Sequence, residues 1–238
     1  MKDLSSFDAV ILCGGLGTRL RSEMGQTPKV MAPVDGQPFL ELLIHQLKSQ
    51  GFERIILCTG YKSDFIERHF KGNSLGVTME FSRETEPLGT GGALKNARAF
   101  IQSDPFFVLN GDSICVLNFK NLCEFHKKKK SLVSVGIGKV KNPGDFGSIV
   151  LDATDRILAF QEKIPSDGLS IAYVNAGVYC FSRDIFKKMP EAHRFSLEKD
   201  FFPTLTKDAF FGFVVEESFW DIGTPERYRA ASKFLKKG

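Results

Sequence analysis

The stretch Cys13–Arg21, CGGLGTRLR, follows directly after the apolar run Ala9–Leu12. An apolar strand that leads into three glycines and two arginines is typical of a phosphate-binding loop, because clustered backbone N–H groups and guanidinium groups both bind phosphate oxygens. The loop lacks the third glycine of the dinucleotide fingerprint G-x-G-x-x-G, and no ATPase-type G-x-x-x-x-G-K-[ST] occurs in the chain. Two interpretations remain open at this point: a phosphate site of another class, and a structural glycine turn with solvent-facing arginines.

The composition is that of an ordinary globular protein, with 42% hydrophobic and 25% charged residues among 238 and a net charge of +4. This small charge does not indicate a nucleic-acid partner. The five cysteines form no C-x-x-C pair and the four histidines lack zinc-ligand spacing, so we expect reduced thiols and a cytoplasmic location. No apolar run approaches the roughly 18 residues of a membrane-spanning helix, so we expect no membrane partner.

Strand and helix patterns alternate along the first half of the chain. This alternation predicts an α/β fold with a doubly wound, mostly parallel sheet of the Rossmann-like kind and helices on both faces. The predicted strands are Phe7–Leu12, Arg54–Cys58, Val77–Ser82 and Pro105–Asn110, and the predicted helices are Phe39–Gln50, Ser63–Phe70, Gly91–Ile101 and Asn118–Lys128.

Strand patterns dominate after Ser131 and predict an added β-layer. A hairpin is expected where Gly147–Leu151 and Arg156–Gln161 flank the turn sequence DATD. The remaining predicted elements are a strand at Ile171–Phe181, helices near Arg183–Lys188 and Ser196–Thr206, a last strand pair formed by FFGFVVE and FWDI, and a closing helix from Pro225.

Three motifs follow predicted strands: the glycine loop, EPLGTGGA (86–93) and NGDS (110–113). Ligands of open parallel sheets bind beyond the carboxyl ends of the strands, so we expect these motifs to meet at one edge. Lys29, in TPKVMAPV, adds a cation to that of Arg19. Together the two side chains can neutralise a highly charged leaving group such as pyrophosphate.

Taken in order, GGLGTRL, PKVMAPV, EPLGTGGA, NGDS, EK, NAGVY and WDIGTPERY resemble the motifs of the sugar-1-phosphate nucleotidyltransferases, also called nucleotide-sugar pyrophosphorylases. The resemblance spans nearly the whole chain, from Ala9 to Tyr228. Within that superfamily, ILCGGLGTRL, EPLGTGGA and FSLEKDFFP resemble the D-glycero-α-D-manno-heptose 1-phosphate guanylyltransferases most. One departure is Val30, where the family usually has the second proline of P-K-P-M.

The resemblance implies Mg²⁺-assisted transfer of a nucleoside monophosphate, GMP from GTP, to a sugar 1-phosphate with release of pyrophosphate. The expected sugar is D-glycero-α-D-manno-heptose 1-phosphate, for lipopolysaccharide, capsule, S-layer or other surface-glycan assembly. The resemblance also implies one catalytic domain over residues 1–238, with a nucleotide-binding half over about 1–130 and a sugar-binding half over about 131–238.

Other readings stay open at this point. The sugar could be mannose, glucose or N-acetylmuramate 1-phosphate with another base, or the chain could be a non-catalytic homologue that senses nucleotide sugars. Many members of the superfamily are homo-oligomers, but no stretch of this sequence marks an interface.

The resemblance assigns the catalytic roles to Arg19, Lys29, Asp112 and Lys163, with Lys163 on the sugar phosphate. Asp112 and Asp221 both follow apolar strand residues and are assigned to Mg²⁺. From the residues alone, each aspartate could instead cap the turn after its strand.

The remaining assignments concern the two substrates. We hypothesise that Glu86, or a backbone carbonyl beside it, accepts hydrogen bonds from guanine. The expected nucleotide-binding residues are Leu12, Gly14, Gly15, Gly17, Thr18, Glu86, Pro87, Leu88, Gly89, Gly91 and Gly111, and the expected sugar-binding residues are Glu162, Asn175, Gly177, Glu198, Lys199 and Trp220.

Overall fold

The computed structural model describes residues 3–140, 148–161, 172–215 and 219–235. Its strands and α-helices, in chain order, are β1 (Asp8–Leu12), α1 (Arg21–Met24), β2 (Pro33–Val34), β3 (Gln37–Pro38), α2 (Phe39–Ser49), β4 (Arg54–Thr59), α3 (Ser63–Phe70), β5 (Thr78–Arg83), α4 (Gly89–Asn96), β6 (Phe106–Asn110), β7 (Ser113–Cys115), α5 (Phe119–Lys128), β8 (Val133–Val140), β9 (Ser148–Leu151), β10 (Ile157–Gln161), β11 (Ala172–Phe181), β12 (Phe210–Val214), β13 (Phe219–Asp221) and α6 (Pro225–Leu235).

The central sheet is mixed, and strands of the first half build its parallel part. Strands β5, β4, β1 and β6 lie side by side in that order and run parallel. Strands β1 and β4 are nearly continuous apolar runs, because helices and turns cover both faces of the sheet. The doubly wound arrangement predicted from the sequence is confirmed.

The strands of the second half continue the same sheet. Strand β11 joins β6 in antiparallel orientation, and β8 and β9 pair with β11. The predicted hairpin is β9–β10. Asp152 closes its turn, since Oδ1 accepts hydrogen bonds from the backbone N–H groups of Thr154 (2.7 Å) and Arg156 (3.0 Å). The added β-layer is therefore an extension of the central sheet.

Two hydrophobic cores lie on the two faces of the sheet. In β1, Ala9 and Ile11 belong to the core shared with α2, α3 and α5, whereas Val10 belongs to the core shared with α4. This division follows from the strand's period of two residues, which sends successive side chains to opposite faces. Apolar side chains fill both faces, so polar ligand-binding groups are expected at the strand ends.

Two segments predicted as helices do not have α-helical geometry. Arg183–Lys187 is a 3₁₀ helix, and the predicted helix near residues 196–206 divides into a π-helical turn, Leu197–Phe201, and a 3₁₀ turn, Phe202–Leu205. Pro203 lies in the last turn and has no N–H to donate, so an α-helix cannot continue through it without losing a hydrogen bond.

The last strand pair expected from the sequence was wrong. Strand β12 pairs in parallel with β8, at the edge of the central sheet, and β13 pairs antiparallel with β7. Strand β7 has three residues, too few to show an alternating pattern, so its partner could not be identified from the sequence. Among the residues that the structure describes, no helix is long and apolar enough to cross a membrane.

Candidate functional site

A cavity of about 430 Å³ opens where β1, β5 and β6 end. Its lining comes from the glycine loop, the turn before α4 and the residues after β6. This agrees with the expectation that ligands bind beyond the carboxyl ends of parallel strands. The expected site residues that line the cavity are Leu12, Gly14, Gly15, Gly17, Thr18, Arg19, Lys29, Pro87, Gly89 and Asp112.

The glycine loop follows β1 and wraps around the Lys29 side chain. Gly17 has φ +58°, and a Cβ on it would lie 2.7 Å from the Cβ of Lys29. Only glycine accepts both this backbone conformation and this close approach at low cost. The Tyr61 N–H donates to the carbonyl of Gly14 at 3.1 Å and fixes the start of the loop. Any larger residue at position 17 would displace Lys29.

Lys29 and Asp112 form an ion pair in the cavity, with Nζ and Oδ2 2.5 Å apart. The Ser113 hydroxyl donates to the other carboxylate oxygen at 3.2 Å. Burial raises the pKa of Asp112, but the charge of Lys29 and the hydrogen bonds from Lys29 and Ser113 outweigh it, so the pKa lies below its usual value. Asp112 is therefore an anion at neutral pH.

Val30 replaces the usual proline without removing order from this segment. Lys29–Met31 forms one 3₁₀ turn, with the Met31 N–H donating to the Pro28 carbonyl at 2.8 Å. The Val30 side chain is buried and lines the cavity. Neighbouring hydrogen bonds and packing thus supply the restraint that a proline ring would have given.

Asp221 lies beside Asp112 because β13 pairs with β7. Its register partner is Ser113, and the Ile222 N–H donates to the Asp112 carbonyl at 2.9 Å. The Oδ1 atom of Asp221 accepts from the Gly223 N–H at 2.7 Å, which is the turn-capping role that the sequence left open. Asp221 itself does not line the cavity, but Gly223 does.

The donor set of these two aspartates fits a hard divalent cation. Carboxylate oxygens are ligands that Mg²⁺ favours, and Asp112 already holds a positive charge at its Oδ2 atom. Among the described residues, no group of three or more His, Cys, Asp or Glu side chains could hold a metal. The two aspartates would therefore need oxygens from substrate and water to complete a coordination shell.

The structure brings Glu84, and not Glu86, into the cavity. Glu86 is exposed and does not line the cavity, because it lies in the turn beyond β5. Glu84 directly follows β5, lines the cavity, and accepts the Leu88 N–H at 3.0 Å through Oε2. Burial raises the pKa of Glu84, and the Leu88 hydrogen bond opposes this shift.

Three expected nucleotide-binding residues shape the cavity wall instead of lining it. Gly91 is buried beneath Phe195, and its N–H donates to the Phe195 carbonyl at 3.0 Å. Gly111 is buried, and its N–H donates to the Leu12 carbonyl at 2.9 Å. Leu88 is half-buried and gives its N–H to Glu84. The N–H groups of all three therefore already have acceptors.

Two expected sugar-binding residues, Asn175 and Glu198, belong to a hydrogen-bond network behind the cavity wall. The Asn175 amide donates to the Tyr179 hydroxyl at 2.8 Å, and that hydroxyl donates to Glu198 Oε1 at 3.3 Å. Thr90 donates to Glu198 Oε2 at 2.6 Å and lines the cavity. Gly177, with φ +73°, lies at the β-bulge of β11, where the strand pairing shifts.

The other expected sugar-binding residues do not line the cavity. Lys199 is exposed, and Trp220 is half-buried on β13, where it packs against the core. Glu162 and Lys163 lie outside the residues that the structure describes.

Sequence reasoning missed several residues of the cavity. Glu84 could have been found, since it lies two residues after the predicted strand Val77–Ser82. Arg194 could not, because tertiary packing brings it there: the Phe195 N–H donates to the Leu88 carbonyl at 3.0 Å and docks the segment on the start of α4. Arg19 and Arg194 are both exposed, and within the described ranges neither forms an ion pair. The cavity residues that were not assigned individually are Cys13, Leu16, Glu84, Thr90, Ala93, Asn110, Arg194 and Gly223, and all but Glu84 and Arg194 lie in motifs identified from the sequence.

Comparison with known proteins points to one family. Residues 8–238 match a family model described as Nucleotidyl transferase. The chain is similar to the D-glycero-alpha-D-manno-heptose 1-phosphate guanylyltransferase of Aneurinibacillus thermoaerophilus, with 36% identity over 96% of this chain and 98% of that protein. It is also similar to the mannose-1-phosphate guanylyltransferase of Mycobacterium tuberculosis, with 37% identity over 97% of this chain and 65% of that protein.

A solved structure has the same fold. The chain superposes on HddC from Yersinia pseudotuberculosis complexed with GMP-PN with a TM-score of 0.86 and 38% identity, covering 96% of this chain and 99% of that one. The doubly wound nucleotidyltransferase fold expected from the sequence is therefore confirmed at the level of the whole chain.

Proposed function

The chain belongs to the nucleotidyl transferase family, and we propose that it transfers GMP from GTP to a sugar 1-phosphate with release of pyrophosphate. The observation that carries this proposal is the grouping of Arg19, Lys29 and Asp112 around one cavity at the ends of parallel strands. D-glycero-α-D-manno-heptose 1-phosphate is the proposed acceptor, since a relative that matches over nearly its full length is named for it. Mannose 1-phosphate is the second candidate, since another relative is named for that sugar.

The proposed chemistry is an in-line displacement at the α-phosphorus of the nucleotide. A phosphate oxygen of the sugar 1-phosphate forms the new P–O bond, and the bond to the β-phosphate oxygen breaks, with its electron pair leaving on pyrophosphate. The attacking oxygen is already an anion at neutral pH, so no side chain needs to remove a proton. The protein's task is to hold anions in line and to offset their repulsion.

The cationic side chains of the cavity fit this task. Arg19 lies in the glycine loop and Lys29 follows it, and both are proposed to bind the β- and γ-phosphates that leave. Arg194 reaches the cavity from the segment docked on α4, and we assign it to the sugar phosphate together with Lys163. Guanidinium groups suit phosphate because they donate parallel hydrogen bonds to two oxygens.

Asp112 and Asp221 are proposed to hold Mg²⁺. A bound divalent cation would neutralise phosphate charge and align the reacting groups. The contribution of the chain itself is to keep Asp112 ionised, through Lys29 and Ser113, and to hold Asp221 beside it through the β7–β13 pairing.

The sugar-binding half is proposed to use the network behind the cavity wall. Thr90 connects the cavity to Glu198, and Asn175 completes the network through Tyr179. Glu162, Gly177, Lys199 and Trp220 are also proposed to bind the sugar. The five cysteines are all buried and form no disulfide, which fits a reducing, cytoplasmic compartment and a role in precursor synthesis for surface glycans.

A matrix of substrates tests the proposed function. Pyrophosphate release with Mg²⁺ is measured for four nucleoside triphosphates against heptose, mannose, glucose and N-acetylmuramate 1-phosphates. We expect GTP with the heptose phosphate to give the fastest release. Faster release with a different pair would replace the proposed substrates and keep the reaction. A folded protein that binds GTP and turns over no pair would contradict the enzymatic proposal.

A further inference from the structure

We propose that Tyr179 is a positioning residue for the acceptor sugar. Its buried hydroxyl holds Asn110 and, through Glu198, Thr90 in the wall of the cavity, where these two side chains meet the sugar part of the ligand. Tyr179 itself lies behind that wall and does not line the cavity. The assignment rests on the proposed function, because it takes the ligand to contain a sugar.

The Tyr179 ring is fully buried among aromatic side chains. Its centroid lies 5.3 Å from that of Phe202 and 5.9 Å from that of Phe181. A phenylalanine would fill the same space and would bring no polar atom that needs a partner. The contribution of the hydroxyl must therefore come from the groups to which it is hydrogen-bonded.

The Tyr179 hydroxyl has side-chain partners from three segments of the described chain. It accepts from the Asn175 amide at 2.8 Å and donates to Glu198 Oε1 at 3.3 Å. The Asn110 side chain, at the end of β6, also hydrogen-bonds to it. A buried hydroxyl that is satisfied in this way fixes the orientation of each partner.

The β-bulge of β11 brings these groups together. The pairing of β11 with β8 shifts between Asn175 and Tyr179, and Gly177 between them has φ +73°. The Gly177 N–H donates to Asn175 Oδ1 at 3.0 Å, so the amide nitrogen of Asn175 is turned toward Tyr179. A Cβ on Gly177 would lie 3.2 Å from the Asn110 Cβ, so glycine gives Asn110 room to approach.

Glu198 extends the influence of Tyr179 to a second part of the wall. Its Oε2 atom accepts from the Thr90 hydroxyl at 2.6 Å and from the Ser196 hydroxyl at 2.8 Å. Thr90 lies near the start of α4, lines the cavity, and accepts the Leu197 N–H at 2.8 Å. Tyr179 occupies the other carboxylate oxygen of Glu198 and thereby fixes the side chain that holds Thr90.

Asn110 lines the cavity and has a polar atom without a partner. Its Oδ1 atom is buried and accepts no hydrogen bond from any residue that the structure describes. The orientation of the amide is thus imposed by Tyr179, although it leaves a carbonyl unsatisfied. A ligand that offers a hydrogen-bond donor at this wall would satisfy it.

The sugar is the part of the ligand that can supply this donor. An ionised triphosphate has no hydrogen-bond donor, and its proposed partners Arg19 and Lys29 belong to the segments that follow β1. Asn110 ends β6, which lies between β1 and β11 in the sheet. A sugar bound on the β11 side of the reacting phosphates therefore brings its hydroxyl groups to Asn110 and Thr90.

The Tyr179→Phe variant tests this role, because it removes one oxygen atom and keeps the ring. Affinities for GDP and for GDP-heptose are measured by calorimetry without turnover, with GDP-mannose as a second nucleotide sugar. We expect GDP to bind the variant as it binds the native protein. Both nucleotide sugars should bind about 10-fold more weakly, as for the loss of a well-placed hydrogen bond. A purely structural role would weaken binding of all three ligands or of none.

Asn110→Ala tests whether Tyr179 acts through its partners. We expect the same selective loss in this variant. The combined variant should lose less than the product of the two single effects, because removal of Asn110 takes away part of what Tyr179 holds. Tyr173→Phe is the matched control: this half-buried tyrosine of β11 does not line the cavity, and its ring centroid lies 6.0 Å from Lys139 Nζ. It should bind all three ligands like the native protein.

Unchanged affinity for both nucleotide sugars in Tyr179→Phe would overturn the proposal. An equal loss for GDP would also overturn it, because the effect would then lie on the nucleotide. Thermal unfolding shows whether each variant is folded, and if Tyr179→Phe is not, Asn110→Ala decides by the same criterion. A native protein that binds the nucleotide sugars more tightly than GDP but turns over no sugar 1-phosphate contradicts the proposed function alone.

Discussion

At Asp112, burial and a neighbouring charge act in opposite directions on the same carboxylate. Burial favours the neutral acid, but the Lys29 ammonium and the hydrogen bonds around it hold the pKa below its usual value. Lys29 in turn is placed by the close passage of the loop at Gly17. The loop at Gly17 thus positions Lys29, and Lys29 keeps Asp112 ionised at the cavity.

The Lys29→Met variant tests the role of that ammonium. We expect kcat to fall by about 100-fold or more, because a preorganised charge on the leaving group is lost from a partly enclosed site. Steady-state pyrophosphate release is the measurement, with thermal unfolding as the check on folding. Lys48→Met, at an exposed lysine that donates to the Leu75 carbonyl, is the matched control and should retain native activity. A Lys29→Met enzyme within threefold of native kcat would contradict this role.

At the scale of elements, α5 is joined to the sheet through a buried histidine. His126 hydrogen-bonds through Nδ1 to the Ser134 hydroxyl of β8 and through Nε2 to the Ser182 hydroxyl beyond β11, both at 3.0 Å. Burial, with a smaller effect from Lys127, lowers its pKa from 6.5 to about 4. The folded protein therefore keeps this imidazole neutral where the unfolded chain would protonate it.

This shift predicts a pH-dependent stability. Between pH 6.5 and about 4 the unfolded state binds more protons than the folded state, so the free energy of unfolding falls as the pH falls through this window. The full loss is about 3 kcal/mol for a shift of this size. Urea denaturation at a series of pH values measures it. A His126→Gln variant should be less dependent on pH over that window, and an unchanged dependence would contradict the assignment.

Elements differ in how well the sequence predicted them. Helix α3 occupies Ser63–Phe70 as predicted, because its apolar spacing and its boundaries are local signals. The partners of β12 and β13 depend on which sheet edges are open, and no local pattern encodes this. The same holds for the start of α4, where Gly91 gives its N–H to the Phe195 carbonyl, about a hundred residues away in sequence.

For the whole molecule, the sheet is what assembles the candidate site. Residues that directly follow predicted strands, such as Asp112, could be identified from the sequence, because parallel strands end at one edge. Arg194 could not, since its place depends on the docking of residues 193–199 against α4. Glu84 lines the cavity and Glu86 does not, because Glu84 directly follows β5 and Glu86 lies in the turn beyond it.

The most direct test of guanylyl transfer follows the sugar phosphate's own oxygens. The heptose 1-phosphate is labelled with ¹⁸O at its phosphate oxygens and incubated with GTP and Mg²⁺. The masses of the products are then measured by mass spectrometry. Attack by that phosphate on the α-phosphorus should give GDP-heptose that retains all the label, with an equal amount of unlabelled pyrophosphate. Label in pyrophosphate, or no nucleotide sugar from any sugar 1-phosphate with a folded protein that binds GTP, would contradict it.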